Sequence, residues 1–217
     1  LKALEAFDPS KAKLTFICSP SNPLGHKFSK ESIYRVCEYF SDSGLVVLDG
    51  AYVEFDSDEV YKEILSKFDN VIILRTLSKA FGLAGVRCGV LISSDEICQY
   101  IERVIPPYSF STPAVNAVIE SLSDEGIKES KRNIEIIIED RRWLETELES
   151  LDEVIEVFQS YTNFILVKVN DAKAFCKKSQ DLGFLLRDVS YQPLLENCVR
   201  ITVGKTEQNQ KLIRGLK

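Results

Sequence analysis

The 217-residue chain lacks the features of several common functional classes. Its only histidine is His26, which excludes a site with several histidine ligands and disfavours a Ser-His-Asp triad, so we expect no metal centre. It has no block of basic residues, and 33 acidic residues outnumber 27 basic ones, so we expect no nucleic-acid partner. No apolar run approaches the roughly 18 residues that cross a membrane, and no signal peptide is visible, so we expect no membrane association.

The chain also contains no methionine, and residues 1–7 have a helical pattern, so we expect a piece of a longer protein. Its six cysteines form no CxxC pair. This is typical of reduced, buried thiols in a cytoplasmic protein, with disulfides as the alternative. Hydrophobic residues make up 45 % and charged residues 28 %, so the chain can bury a core of its own.

Short apolar runs alternate with helical patterns in the first half of the chain. Strands are predicted at 14–18, 45–48, 71–74 and 90–92, and helices at 29–40, with Ser29 as the N-cap, and at 61–68. Apolar strands separated by helices predict an α/β fold, with a mostly parallel sheet and helices on both faces.

The pattern changes after Thr112. Helices are predicted at 114–122 and 127–151, followed by a strand, helix, strand, strand and helix at 164–169, 172–182, 184–187, 198–203 and 207–216. We therefore predict a large domain over 1–125, a long connecting helix over 126–150 and a small α/β C-terminal domain over 151–217.

Four segments carry the residues suited to chemistry, at 19–25, 49–52, 76–89 and 198–204. The first three each follow a predicted parallel strand, and ligands bind beyond the carboxyl ends of such strands. Together they supply the groups that pyridoxal 5′-phosphate requires. Lys79 can form a Schiff base with its aldehyde, Asp49 can keep its pyridine nitrogen protonated, and Asn22 and Tyr52 can donate hydrogen bonds to its ring oxygen.

The phosphate of the same cofactor can be held by Thr76, Ser78 and Arg87, the last as a bidentate clamp. Each residue taken alone has a structural alternative: a surface lysine at 79, a turn cap at 49, core packing at 52, a turn former at 22 and an N-cap at 78. Arg200 lies within an apolar strand and requires an anionic partner.

The sequence RTLSKAFGLAGVRCG at 75–89, together with IPPYSFSTP at 105–113 and LRD at 186–188, resembles fold-type I aminotransferases. It is most similar to the histidinol-phosphate aminotransferase family, over essentially the whole chain. The resemblance does not include that family's N-terminal part. In the family this part supplies a glycine-rich phosphate turn, an aromatic ring that stacks on the cofactor and a tyrosine that reaches the partner subunit's phosphate. Leu24 and Gly50 stand where the family usually has Thr and Glu, and neither position carries cofactor chemistry.

The resemblance implies a homodimeric pyridoxal-phosphate-dependent aminotransferase of histidine biosynthesis. It would exchange an amino group between glutamate and 2-oxoglutarate on one side and histidinol phosphate and imidazole-acetol phosphate on the other. Lys79, Asp49 and Tyr52 would be catalytic, with Lys79 as general base and acid. Arg200 would bind the substrate carboxylate, Arg187 with Arg200 the substrate phosphate, and Asn22 would complete the substrate site.

Two alternatives stay open at this point. One is another fold-type I enzyme, such as an aromatic aminotransferase or a threonine-phosphate decarboxylase. The other is a catalytically silent fragment that acts only as a folding or dimerisation unit. If the polypeptide starts at Leu1, we expect the 217-residue chain by itself to bind pyridoxal phosphate poorly, to be inactive and to self-associate.

Overall fold

A computed structural model describes residues 8–56 and 60–217. The helix predicted at 1–7 lies outside this part of the chain. The chain divides into two compact units. The first runs to Pro20 and continues over Lys27–Ser130, and the second comprises Ser21–His26 and Lys131–Lys217. Within the described residues, no helix is long and apolar enough to cross a membrane.

The first unit contains a sheet in the order β1-β2-β3-β4. Its strands are β1 (Leu14–Cys18), β2 (Leu45–Asp49), β3 (Val71–Thr76) and β4 (Gly89–Ile92), all close to the predicted positions. The first three are mutually parallel, as predicted, and β4 is antiparallel to β3. The chain turns back directly after β3 without a crossover helix, so β4 returns in the opposite direction.

The helices of this unit are α1 (Lys30–Tyr39), α2 (Val60–Glu63), α3 (Asp95–Glu102) and α4 (Thr112–Ser121). Single 3₁₀ turns occur at Pro9–Lys11, Val53–Phe55, Ile64–Ser66 and Ala84–Val86. The predicted cap is confirmed, because the Ser29 hydroxyl accepts from the N–H of Ser32 at 3.2 Å. The helix predicted at 61–68 is a short α2 and a 3₁₀ turn, and α3 was not predicted. The core packs α1 and α2 on one face of the sheet, through residues such as Ile33, Cys37, Val46, Leu48, Ile64 and Ile73.

The long helix α5 (Asp124–Glu149) begins in the first unit and ends in the second. The second unit has an antiparallel sheet in the order β5-β6-β8-β7. Its strands are β5 (Val154–Phe158), β6 (Phe164–Val169), β7 (Arg187–Asp188) and β8 (Cys198–Thr202), and its other helices are α6 (Ala172–Asp181) and α7 (Thr206–Leu216).

The strands of this unit differ from the sequence prediction in two places. Strand β5 was not predicted, because as an edge strand it carries exposed Glu156 between apolar residues. The strand predicted at 184–187 is reduced to the two residues of β7. The core forms around Leu144, Leu148, Ile165, Val167, Val199, Ile201 and Leu212. The domain limits inferred from the sequence stay a prediction.

All six cysteines lie in the described part of the chain, and no disulfide joins any two of them there. Cys37 and Cys198 are buried and the others are half-buried. Burial raises the pKa of the Cys37 thiol to about 12.

Candidate functional site

In the first unit, Asp49 and Tyr52 follow one another at the carboxyl end of β2. Asp49 is the last residue of this strand and is half-buried. One of its oxygens, Oδ1, accepts from the N–H of Ala51 at 3.0 Å, which makes the Asx turn expected of an aspartate at this place. The turn leads directly to Tyr52, whose side chain is 5 % exposed.

The amine of Lys79 lies against the ring of Tyr52. The Nζ atom is 5.2 Å from the ring centroid, a cation–π distance. Lys79 itself is exposed and belongs to the turn that follows β3. The turn is closed by hydrogen bonds from Gly82 N–H to the Lys79 carbonyl (3.1 Å) and from Leu83 N–H to the Leu77 carbonyl (2.9 Å). The parallel pairing of β2 and β3 thus brings the predicted amine and phenol together.

The predicted phosphate-binding residues lie in the same turn. The Thr76 hydroxyl accepts from Ser78 N–H at 3.1 Å and donates to the Cys88 carbonyl at 3.3 Å. Arg87 has a left-handed backbone, with φ of +60°, and an exposed side chain whose Nη1 donates to the Ala84 carbonyl at 3.2 Å. A guanidinium has further N–H donors that can bind an anion.

These side chains fit pyridoxal phosphate by their chemistry. An amine, a carboxylate and a phenol lie at the ends of β2 and β3, and two hydroxyls with a guanidinium follow in one closed turn. The set contains a nucleophile for an aldehyde, an anion for a ring nitrogen and donors for a phosphate.

The predicted substrate residues lie in the second unit. Asn22 belongs to this unit, and its Oδ1 accepts from Nη1 of Arg200 at 2.7 Å. The Arg200 guanidinium also lies 5.1 Å from the centre of the Phe164 ring. Arg187 is the register partner of Arg200 across β7 and β8. Arg200 was predicted to need an anionic partner, and the partners in this structure are an amide and an aromatic ring.

Sequence reasoning missed the residues that support Asn22 and Arg200. Gly25 is buried and has φ of +74°, and its carbonyl accepts from the N–H of Tyr161 at 2.9 Å. Ser160 and Thr162 are buried on either side of Tyr161. Asn22 and Gly25 are three residues apart in the sequence, but nothing in the sequence indicated that residues 160–162 pack against their segment.

An ion pair between Glu54 and Arg75 was also missed. Arg75 Nη2 lies 2.7 Å from Glu54 Oε1, and the carboxylate is mostly buried. A Cβ atom at Gly50 would lie 3.2 Å from Arg75 Cδ and 3.2 Å from Tyr61 Cε1. The glycine at position 50 therefore leaves the room that Arg75 and Tyr61 fill.

Comparison with known proteins adds a family match. The chain matches the family model described as aminotransferase class I and II over residues 1–216. The histidinol-phosphate aminotransferase of Pectobacterium carotovorum is 38 % identical over 204 residues, which are 94 % of this chain and 57 % of that protein. The chain thus spans little more than half the length of the curated relatives that it matches.

Two solved structures are similar throughout the chain. Histidinol-phosphate aminotransferase from Sinorhizobium meliloti, in complex with pyridoxal-5'-phosphate, has a TM-score of 0.84 at 26 % identity, covering 98 % of this chain and 58 % of that one. L-threonine-O-3-phosphate decarboxylase from Porphyromonas gingivalis has a TM-score of 0.84 at 27 % identity, covering 98 % of this chain and 66 % of that one.

Proposed function

Because this chain belongs to the class I and II aminotransferase family, we propose that it carries the catalytic lysine of a pyridoxal-phosphate-dependent aminotransferase. The observation that carries the proposal is the contact between Lys79 Nζ and the Tyr52 ring, whose centre is 5.2 Å away. Other members of the set are close by in the sequence, since Asp49 is three residues before Tyr52, and Thr76 and Ser78 precede Lys79 in the turn that Arg87 ends. An isolated surface lysine would not have this arrangement.

We assign the cofactor contacts to these residues of the chain. Lys79 would attach the aldehyde through Nζ, and the Asp49 carboxylate would keep the ring nitrogen protonated. The Tyr52 hydroxyl would donate a hydrogen bond to the ring oxygen, and the Asn22 amide, in the second unit, is assigned to the substrate site with Arg200. Thr76, Ser78 and Arg87 would bind the phosphate.

The mechanism requires a proton to move at the α-carbon of the substrate. When bound, pyridoxal phosphate supplies an aldehyde for the amino group and a ring that withdraws electrons from that carbon. Once the substrate's amino group has replaced it at the aldehyde carbon, Lys79 Nζ would take the proton from the α-carbon as general base and deliver it, as general acid, to the former aldehyde carbon. Asp49 would hold positive charge at the ring nitrogen, where its fixed carboxylate would stabilise the charge distribution of the transition state.

For the substrates we propose glutamate with 2-oxoglutarate, and histidinol phosphate with imidazole-acetol phosphate, in histidine biosynthesis. The names of the curated relatives support this choice. So does the placement of Arg187 opposite Arg200, since guanidinium groups bind both carboxylate and phosphate through paired N–H donors. Arg200 would bind the carboxylate of one substrate, and both arginines the phosphate of the other.

A decarboxylase of phosphorylated amino acids is the second candidate. It is favoured by the similarity to the threonine-phosphate decarboxylase, whose TM-score equals that of the aminotransferase in complex with the cofactor. Both reactions require an amine at Lys79 and an anion-binding site. They differ in whether the substrate loses CO₂ or transfers its amino group.

We also propose that the protein is a cytoplasmic homodimer. The support is a series of exposed apolar side chains in the first unit, which a second copy would cover. They include Tyr100, Val104, Ile105, Tyr108, Val115 and Ile119, and Tyr108 is 99 % exposed. Sedimentation equilibrium of the full-length protein measures this directly, and a monomer at all concentrations would contradict it.

The proposal is tested by trapping the cofactor on the full-length protein. Borohydride reduction in the presence of pyridoxal phosphate, followed by peptide mapping, should place the label on Lys79. A Lys79→Arg variant should lose the label, whereas the exposed control Lys205→Arg should keep it. Label on another lysine in the parent protein rejects the assignment.

Assays with histidinol phosphate, threonine phosphate and aromatic amino acids then identify the substrate, with CO₂ release as the mark of a decarboxylase.

A further inference from the structure

We propose that Arg141 is a positioning residue for Asn22 and Arg200, on which it acts through the turn of residues 160–162. The inference rests on the proposed function, because it is there that Asn22 and Arg200 acquire a role in binding. It adds a residue that binds no substrate itself. The residues involved all belong to the second unit.

Arg141 reaches the 160–162 turn from α5. Its side chain is buried, with the residue 6 % exposed, and Nη1 donates to the Thr162 carbonyl at 2.7 Å. Glu145 follows one helical turn later, and burial raises the pKa of its carboxyl group, opposed by the charge of Arg141 and the backbone N–H of Ser160. A buried guanidinium is costly unless its donors are used, so these contacts restrict where the 160–162 turn can lie.

The 160–162 turn is held together by its own hydroxyls. Ser160 Oγ accepts from the N–H of Thr162 at 3.1 Å. Thr162 Oγ1 accepts from the N–H of Phe164 at 3.3 Å and donates to the Phe164 carbonyl at 3.0 Å. Ser160 and Thr162 are 3 % and 0 % exposed. Because these bonds are buried, breaking them would leave polar groups unsatisfied, so the turn is rigid.

The same turn holds the segment that contains Asn22. The N–H of Tyr161 donates to the Gly25 carbonyl at 2.9 Å. Gly25 is so close to Ser160 that a Cβ atom added to it would lie 2.7 Å from Ser160 Oγ. Two hydrogen bonds of 2.8 Å close the segment around Asn22, from Gly25 N–H to the Ser21 carbonyl and from Ser21 N–H to the His26 carbonyl.

The turn also sets the surroundings of Arg200. It leads directly into Phe164, the first residue of β6, and the Phe164 ring lies under the Arg200 guanidinium at 5.1 Å. The second contact of this guanidinium is the 2.7 Å hydrogen bond to Asn22. Both contacts that orient Arg200 therefore depend on the 160–162 turn. Removing the donors of Arg141 should loosen the turn and misorient Arg200, with no change in the residues of the first unit.

The experiment compares Arg141→Met with Arg142→Met in the full-length protein, since Arg142 is the exposed neighbour on the same helix. Two readouts are used: the NMR signal of the Arg200 Nε–H group, assigned with Arg200→Lys, and the dissociation constant of glutarate, an unreactive dicarboxylate. We expect Arg141→Met to move the Arg200 signal and to weaken glutarate binding about tenfold. Arg142→Met should leave both unchanged, and Arg141→Lys, which keeps a charged donor, should restore most of the affinity.

Each outcome decides one of the two proposals. An Arg200 signal that Arg141→Met leaves in place overturns the positioning role, whatever the affinity. A signal that moves in a protein that binds no glutarate supports the positioning role and contradicts the proposed substrate site. If Arg141→Met does not fold, Arg141→Gln takes its place, because it removes the charge and the Nη1 donor to the Thr162 carbonyl while keeping a polar side chain. An unchanged Arg200 signal in that variant overturns the inference equally.

Discussion

Arg187 on β7 and Arg200 on β8 are directly opposite one another in the second sheet, so two positive side chains share one pair of strands. Like charges placed opposite each other destabilise a sheet unless an anion lies between them. Neither residue forms an ion pair with a carboxylate elsewhere in the described part of the chain. This arrangement is poor for stability alone and suited to binding an anionic substrate.

The first prediction separates the roles of these two arginines. Arg187→Ala should raise the KM for histidinol phosphate more than that for glutamate, because the phosphate uses both guanidinium groups. Arg200→Ala should raise both KM values, about tenfold or more for the loss of a charge-assisted hydrogen bond. Steady-state kinetics measures this, with the exposed Arg214→Ala on α7 as the control. Equal, small effects of the two variants would favour a substrate without phosphate.

A second prediction concerns Asp49. Asp49→Asn keeps the shape of the side chain and removes the charge that holds the ring nitrogen protonated. Turnover should fall at least about 10²-fold, the scale typical of a lost electrostatic partner. The control is Asp69→Asn, an exposed aspartate of the same unit. Retention of most of the turnover by Asp49→Asn would refute its role at the ring nitrogen.

A third prediction addresses stability, through the ion pair of Glu54 and Arg75. Glu54→Gln leaves a partly buried guanidinium without its counter-charge and should lower the free energy of unfolding by about 1–3 kcal/mol. Urea unfolding measures the change, with exposed Glu38→Gln as the control. The double variant Glu54→Leu with Arg75→Met should recover much of the loss, because no charge is then left unpaired. If Glu54→Gln is as stable as Glu38→Gln, the ion pair contributes nothing to the free energy of unfolding.

The fourth prediction follows from the raised pKa of Cys37. Below the ordinary thiol value of 9.0 the group is neutral in both folded and unfolded chains, and burial costs nothing in charge. Between 9.0 and about 12 the unfolded chain ionises and the folded chain does not, so stability should fall as pH rises through this window. The free energy of unfolding, measured from pH 8 upward, should fall less steeply in Cys37→Ala than in the parent protein. The reason is that unfolding of the variant releases on the order of one proton fewer.

The same burial should protect Cys37 from alkylation. In the folded protein its thiol should react with iodoacetamide more slowly than that of half-buried Cys88, and at an equal rate after unfolding in urea. Mass spectrometry of the alkylated peptides measures both rates. Equal labelling of the two cysteines in the folded protein would contradict this account of the buried thiol.

Much of the first sheet could be predicted from local pattern. The runs that form β1, β2 and β3 are mostly apolar and bounded by turn residues, which is the pattern of strands in a covered parallel sheet, although Leu14 and Phe16 of β1 are exposed. The Ser29 cap was equally visible, because its hydroxyl acts on an N–H only three residues away. Strand β5 was missed because it is an edge strand with exposed Ile155 and Glu156, and helix α3 because its apolar residues at helical spacing extend over only eight residues.

Part of the candidate site could likewise be predicted from local sequence, and part could not. The sequence by itself determined which groups are present, because Lys79, Asp49, Tyr52 and the phosphate-binding turn follow strands that local pattern identifies. Only the tertiary structure decided that the Asn22 segment joins the second unit, bonded to Arg200 and seated on the 160–162 turn. The physical reason is that these contacts join residues far apart in the chain, through single hydrogen bonds and close packing that depend on the completed fold and leave no periodic signal in the sequence.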